Sequence, residues 1–123
     1  MIYVIDDDEV MAGCVARACK GAVRTGEVAE VQIFGDGITA MAAMDDVGVP
    51  DLVFLDILLD GPDGFTLLNE MASYADTARV PIVVVSSLDF AGKDLSMYGV
   101  VGVLNKDTMV PQEIRDYVAK YVG

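Results

Sequence analysis

Five residues are placed to do chemistry together: Asp6, Asp7, Asp56, Ser86 and Lys106. Each closes a short apolar run. Ile2–Ile5 leads into Asp6-Asp7, Leu52–Leu55 into Asp56, Ile82–Val85 into Ser86, and Val100–Leu104 into Asn105-Lys106. Runs this short, apolar on both faces and punctuated at their ends, read as buried parallel strands. Residues at the carboxyl ends of such strands gather at one rim of the sheet, where open α/β sheets bind ligands. Two carboxylates about 4 Å apart repel by roughly 4 kcal/mol at an effective dielectric of ~20. Three of them need a cation. The chain has no His, so a zinc site is not expected. An oxygen-only donor set suits Mg²⁺ or Mn²⁺; Mg²⁺ keeps several waters and takes one or two carboxylates. A metal, a lysine and a hydroxyl around a carboxylate able to act as a nucleophile fit phosphoryl transfer. The metal and Lys106 would offset charge on the phosphoryl oxygens, and Ser86 would donate a hydrogen bond to one of them.

The elements that must hold these residues alternate. The first strand is followed by a helix that Asp8 can cap, with Glu9 favouring its first turn. Val10, Cys14, Ala18 and Ala22 recur at helical spacing, and Met11, Val15 and Cys19 widen the face expected to be buried. Val28–Phe34 reads as the second strand, stopped by Gly35-Asp36-Gly37. Ile38–Val47 reads as a helix. Phe65–Tyr74 reads as another, with Leu67, Leu68 and Met71 on one face. Asp89–Tyr98 is a fourth, weak helix, interrupted by Gly92. Pro111 opens the last, in which Ile114, Tyr117, Val118, Tyr121 and Val122 form a stripe. Five strands alternating with five helices imply an α/β fold: a doubly wound parallel sheet with helices on both faces and right-handed crossovers.

The length of 123 residues suits one domain over residues 1–123, and the apolar content of 54% argues against disorder. A formal net charge of −12 argues against direct contact with nucleic acid or an anionic membrane surface. No run approaches the ~18–20 apolar residues a membrane span needs. Met1 leads straight into the first strand without a basic region, so no signal peptide is expected. Cys14 and Cys19 lie five apart on one helix and should not pair. Both read as small core residues. Unpaired thiols without a signal peptide suggest a cytoplasmic protein.

The chain resembles, over its whole length, the receiver domain of bacterial two-component response regulators. The resemblance rests on Asp6-Asp7 after the first strand, Asp56 after the third, Asp63-Gly64 seven and eight residues later, Ser86 after the fourth and Lys106 after the fifth. It implies the strand order 2-1-3-4-5 of the flavodoxin-like folds. It also implies that Asp56 takes a phosphoryl group from a histidine kinase or phosphotransfer protein. Asp7, Asp56 and the backbone carbonyl of Leu58 would hold the metal, with Asp6 acting partly through water. Ser86 and Lys106 would sense the phosphoryl group. A downstream protein or attached output domain would read the face made by the fourth helix, fifth strand and fifth helix, including Tyr98, Tyr117 and Tyr121.

Several residues depart from the family pattern. Asp60 stands where proline is usual, Asp107 follows the lysine in place of proline, and Val103 stands where an aromatic residue is usual. A phosphorylation-independent pseudo-receiver is the alternative these changes support; the intact acidic residues and Lys106 oppose it. A flavodoxin-type mononucleotide binder is disfavoured because Asp6-Asp7-Asp8 would repel a phosphate. A phosphatase with an Asp nucleophile lacks the second Asp two residues after Asp56. The Lys106–Asp107 peptide is expected to be trans, since a cis bond there would cost ~2.5–4 kcal/mol. Gly64 is expected to supply a backbone angle that other residues avoid. Leu58 and Leu88 should shield an acyl phosphate from water.

Overall fold

A computed structural model describes residues 1–21, 30–57, 64–87 and 95–122. The chain runs β1 (Ile2–Ile5), α1 (Glu9–Lys20), β2 (Val31–Phe34), α2 (Gly37–Asp46), β3 (Leu52–Asp56), α3 (Gly64–Ser73), β4 (Ile82–Ser86), a 3₁₀ turn (Ser96–Tyr98), β5 (Val100–Asn105) and α4 (Pro111–Tyr121). The five strands form one parallel sheet in the order β2-β1-β3-β4-β5.

Strand alternation explains why β1 and β3 are apolar without interruption. Successive side chains point to opposite faces, and both faces are covered. Tyr3, Ile5, Val53 and Leu55 pack with Leu67, Leu68 and Met71 of α3 and Met44 of α2. Ile2, Val4, Leu52 and Phe54 pack with Ala12 and Val15 of α1 and Ile114 and Val118 of α4. Burying a side chain of this size contributes roughly 1.5–3 kcal/mol, so the two layers fix the sheet, and with it the rim where β1, β3, β4 and β5 end.

The caps set where the helices leave that rim. The Asp8 carboxylate accepts the amides of Val10 (3.0 Å) and Met11 (3.2 Å) and starts α1 immediately after the acidic pair. Asp36 caps α2 through the Thr39 amide at 2.7 Å. In α4 the Glu113 carboxylate accepts the Val110 amide at 3.0 Å, with Pro111 in the first turn.

Several expectations need correction. Of the expected α1 face, Val15, Ala18 and Cys19 are buried, joined by Ala12 and Ala16, and Ala22 lies outside the described residues. Val10 is 77% exposed and Cys14 is exposed. The capped first turn aims Val10 away from the sheet, and three alanines fit closer to it. Both thiols are free. The described residues contain four α-helices, not five: residues 95–98 of the expected fourth helix hold only the 3₁₀ turn, and residues 89–94 with Gly92 lie outside the described residues. The second strand begins at Val31, with residues 28–29 also outside them. The second and third helices each start one residue early, at Gly37 and Gly64, and end at Asp46 and Ser73. Gly64 does not have a positive φ; among the described residues only Gly48 and Gly99 do. Its lack of a side chain serves close approach instead. A β-carbon there would lie 2.9 Å from the carbonyl oxygens of Asp56 and Ile57, and the Gly64 amide donates to Ile57 O at 3.0 Å. The start of α3 is thereby pressed against the end of β3. No cis peptide bond occurs among the described residues, so Lys106–Asp107 is trans as expected.

Candidate functional site

The sheet brings the predicted residues together. Asp6 directly follows β1, Asp56 ends β3, Ser86 ends β4, and Lys106 directly follows β5. One carboxylate oxygen from each of Asp6, Asp7 and Asp56 lies within 4.8 Å of the others. Asp6 and Asp56 are each only 4% exposed, and Asp7 is exposed. Lys106 Nζ bridges the two buried members, 3.1 Å from Asp6 Oδ2 and 3.0 Å from Asp56 Oδ2. Ser86 is fully buried beside them in register with Asn105.

The turn after β5 aims the lysine. The Lys106 amide donates to Ser86 O at 3.0 Å, which ties the lysine backbone to the hydroxyl-bearing residue. The Asn105 side chain accepts the Asp107 amide at 2.8 Å. The Asn105 carbonyl accepts the amides of Thr108 and Met109. This Asx-type turn orders the loop with an ordinary trans bond. Asn105 is the positioning residue that sequence reading passed over; its signal was an Asn at a strand end followed by a charged pair.

The electrostatics show one ammonium serving two buried carboxylates. Burial pushes the Asp6 carboxyl above its usual range, and the Asp8 amide (2.9 Å from Asp6 Oδ1) and Lys106 only partly offset it. Burial works against the Lys106 charge, but hydrogen bonds and attraction to Asp56 and Asp6 outweigh it and raise that pKa above 10.5. Asp6 therefore contacts Lys106 directly, a pairing not expected from the sequence. Three carboxylates and one ammonium leave two negative charges at the rim. All the donors are oxygen. This charge and donor set fit one divalent cation.

Leu58, whose carbonyl was expected to complete the metal site, lies outside the described residues, as do Asp60, Asp63 and Leu88. Val103, at the position where an aromatic residue was expected, is partly exposed on β5.

The sheet rim thus carries an acidic cluster with a bridging lysine. A family model described as "Response regulator receiver domain" matches residues 2–119. The response regulator PleD of Caulobacter vibrioides is 36% identical over 93 residues, which is 74% of this chain and 19% of PleD. The chain spans about a fifth of the length of that relative. The receiver domain of NtrX from Brucella abortus superposes with a TM-score of 0.80 at 26% identity, covering 99% of this chain and 98% of that one. The receiver domain of a sensor histidine kinase from Pseudomonas aeruginosa PAO1, solved with a magnesium ion coordinated in its active-site cleft, shares the fold at 20% identity. Its TM-score is 0.80, covering 99% of this chain and 96% of that one. The chain belongs to the response regulator receiver domain family, the signal-receiving domains of two-component systems. No helix among the described residues is long and apolar enough to cross a membrane.

Proposed function

We propose that this receiver accepts a phosphoryl group on Asp56 in a Mg²⁺-dependent reaction and passes the signal on through a change in its surface. The observation that carries this reading is the convergence of Asp6, Asp7 and Asp56 within 4.8 Å, with Lys106 Nζ at 3.0 Å from Asp56. An Asp56 oxygen attacks phosphorus of a phosphohistidine on a histidine kinase or phosphotransfer protein. The new O–P bond forms as the P–N bond breaks, and the imidazole nitrogen keeps the electron pair of that bond. Asp6, Asp7, Asp56 and, by resemblance, the Leu58 carbonyl would hold the metal, which when bound neutralises charge on the phosphoryl oxygens. Lys106, already charged and aimed at Asp56, moves from the carboxylate to a phosphoryl oxygen. The buried Ser86 hydroxyl donates to another. The domain catalyses only its own phosphoryl transfer and slow loss of phosphate.

A downstream protein or attached output domain would read the face made by residues 96–98, β5 and α4, where Tyr98, Tyr117 and Tyr121 are half-buried. The two free thiols, one of them exposed, support a reducing cytoplasmic setting. Acetyl phosphate with Mg²⁺, followed by intact-mass measurement, tests the assignment. The parent should gain one phosphoryl group and Asp56→Asn none. Equal labelling of the two would overturn it.

A further inference from the structure

The strand that leads into Lys106 carries a notch. Gly102 is in the interior of β5, where a glycine weakens a strand and marks close approach by another group. The approaching group is Tyr117 of α4. A β-carbon at position 102 would fall on the Tyr117 hydroxyl and lie 2.9 Å from its Cε1 atom. Only glycine accommodates the phenol in this position.

We propose that Tyr117 in the Gly102 notch is a latch coupling the phosphorylation site to α4, and that Tyr117 leaves the notch when Asp56 is modified. This rests on the phosphoacceptor reading given above. Three observations link the notch to the site. Lys106 lies four residues on from Gly102, directly after the end of β5, with its amide fixed to Ser86 O at 3.0 Å. Leu104, between them, packs against Ile114 and Val118, which flank Tyr117 on α4. Lys106 Nζ is held by Asp6 at 3.1 Å and Asp56 at 3.0 Å. A phosphoryl group moves the negative charge outward from Asp56, and the ammonium must follow it. The backbone of β5 carries that shift toward Gly102. Tyr117 already touches the strand with no side chain between them, so a displacement of a few tenths of an ångström there decides whether the ring still fits. The group that must yield is the free end of a half-buried side chain, which can turn outward without unfolding α4.

The test uses the parent protein with Mg²⁺ and beryllium fluoride. Fluorine resonance reports whether the adduct forms. The Tyr117 ring signals, assigned by their loss in Tyr117→Phe, report the latch. Adduct formation should move them toward the positions they hold in unmodified Gly102→Ala, where the added methyl excludes the ring. A second readout needs no variant: nitration of Tyr117 by tetranitromethane, mapped by peptide mass, should rise severalfold on adduct formation. A bound fluorine signal with Tyr117 resonances and nitration unchanged overturns the latch alone. Absence of any adduct overturns the phosphoacceptor reading and the latch with it.

Discussion

An aspartate meets an ammonium group at both ends of the sheet. At the amino end the Met1 amine lies 2.6 Å from Asp51 Oδ2, with the Asp51 side chain 60% exposed. At the carboxyl end Lys106 Nζ lies 3.0–3.1 Å from Asp56 and Asp6, which are almost fully buried. The contact distances differ little; the surroundings differ greatly. Water solvates the first pair whether or not it forms, so such pairs contribute about 0–1 kcal/mol. The second pair is held away from water, and its single cation faces three carboxylates. A short distance alone therefore does not mark a functional site. The surplus of buried charge does, because the fold keeps it at a cost that a cation at that rim would relieve.

The largest expected effect comes from removing the central cation. Lys106→Ala leaves the carboxylates uncompensated and should destabilise the metal-free protein by roughly 3–5 kcal/mol, the range for breaking a buried pair. Urea denaturation in EDTA measures it, and a loss below ~1 kcal/mol would place this pair in the same class as Met1–Asp51. Magnesium should act next. At a concentration 100-fold above its dissociation constant it should add about 2.7 kcal/mol of stability. Asp7→Ala should lose that gain in thermal melts; an equal gain in the variant would remove Asp7 from the site.

A smaller and opposite effect is expected at Asp6. Its carboxyl titrates above its usual 3.8 in the fold because burial dominates. The fold thus binds this proton more tightly than the unfolded chain does, and stability falls as pH rises from 3.8 through the folded value. In EDTA at pH 7, Asp6→Asn should therefore melt higher than the parent, by about 2–6 °C for ~1 kcal/mol. Below pH 3.8 the advantage should vanish. A variant that melts lower at pH 7 would mean that the Lys106 contact outweighs burial. The smallest effect belongs to the other end: Asp51→Asn should change stability by less than ~1 kcal/mol, and less still at high salt.

The strands and the rim cluster were legible because buried parallel strands write themselves as unbroken apolar runs, and their last residues stand out as the polar stops; the strand order came from the family resemblance alone. Asp56 after Leu52–Leu55 and Lys106 after Val100–Leu104 are both of this kind. Helix faces were less legible. Alanine is small enough to sit on either side of α1, so Val10 and Cys14 took the places that Ala12 and Ala16 hold. Gly64 was marked as special but for the wrong reason, since sequence does not distinguish a positive φ from contact with the Ile57 backbone. The Tyr117–Gly102 contact and the shared grip of Lys106 on Asp6 and Asp56 depend on how α4 and the turn after β5 pack in space. No local pattern encodes either.

The most direct measurement treats the protein with acetyl phosphate and reduces it with borohydride, which converts an aspartyl phosphate to homoserine. Peptide mass spectrometry then reads the position. The account predicts homoserine at position 56 when Mg²⁺ is present and little when EDTA replaces it. Homoserine at another aspartate with Asp56 intact, or equal conversion in EDTA, would contradict it.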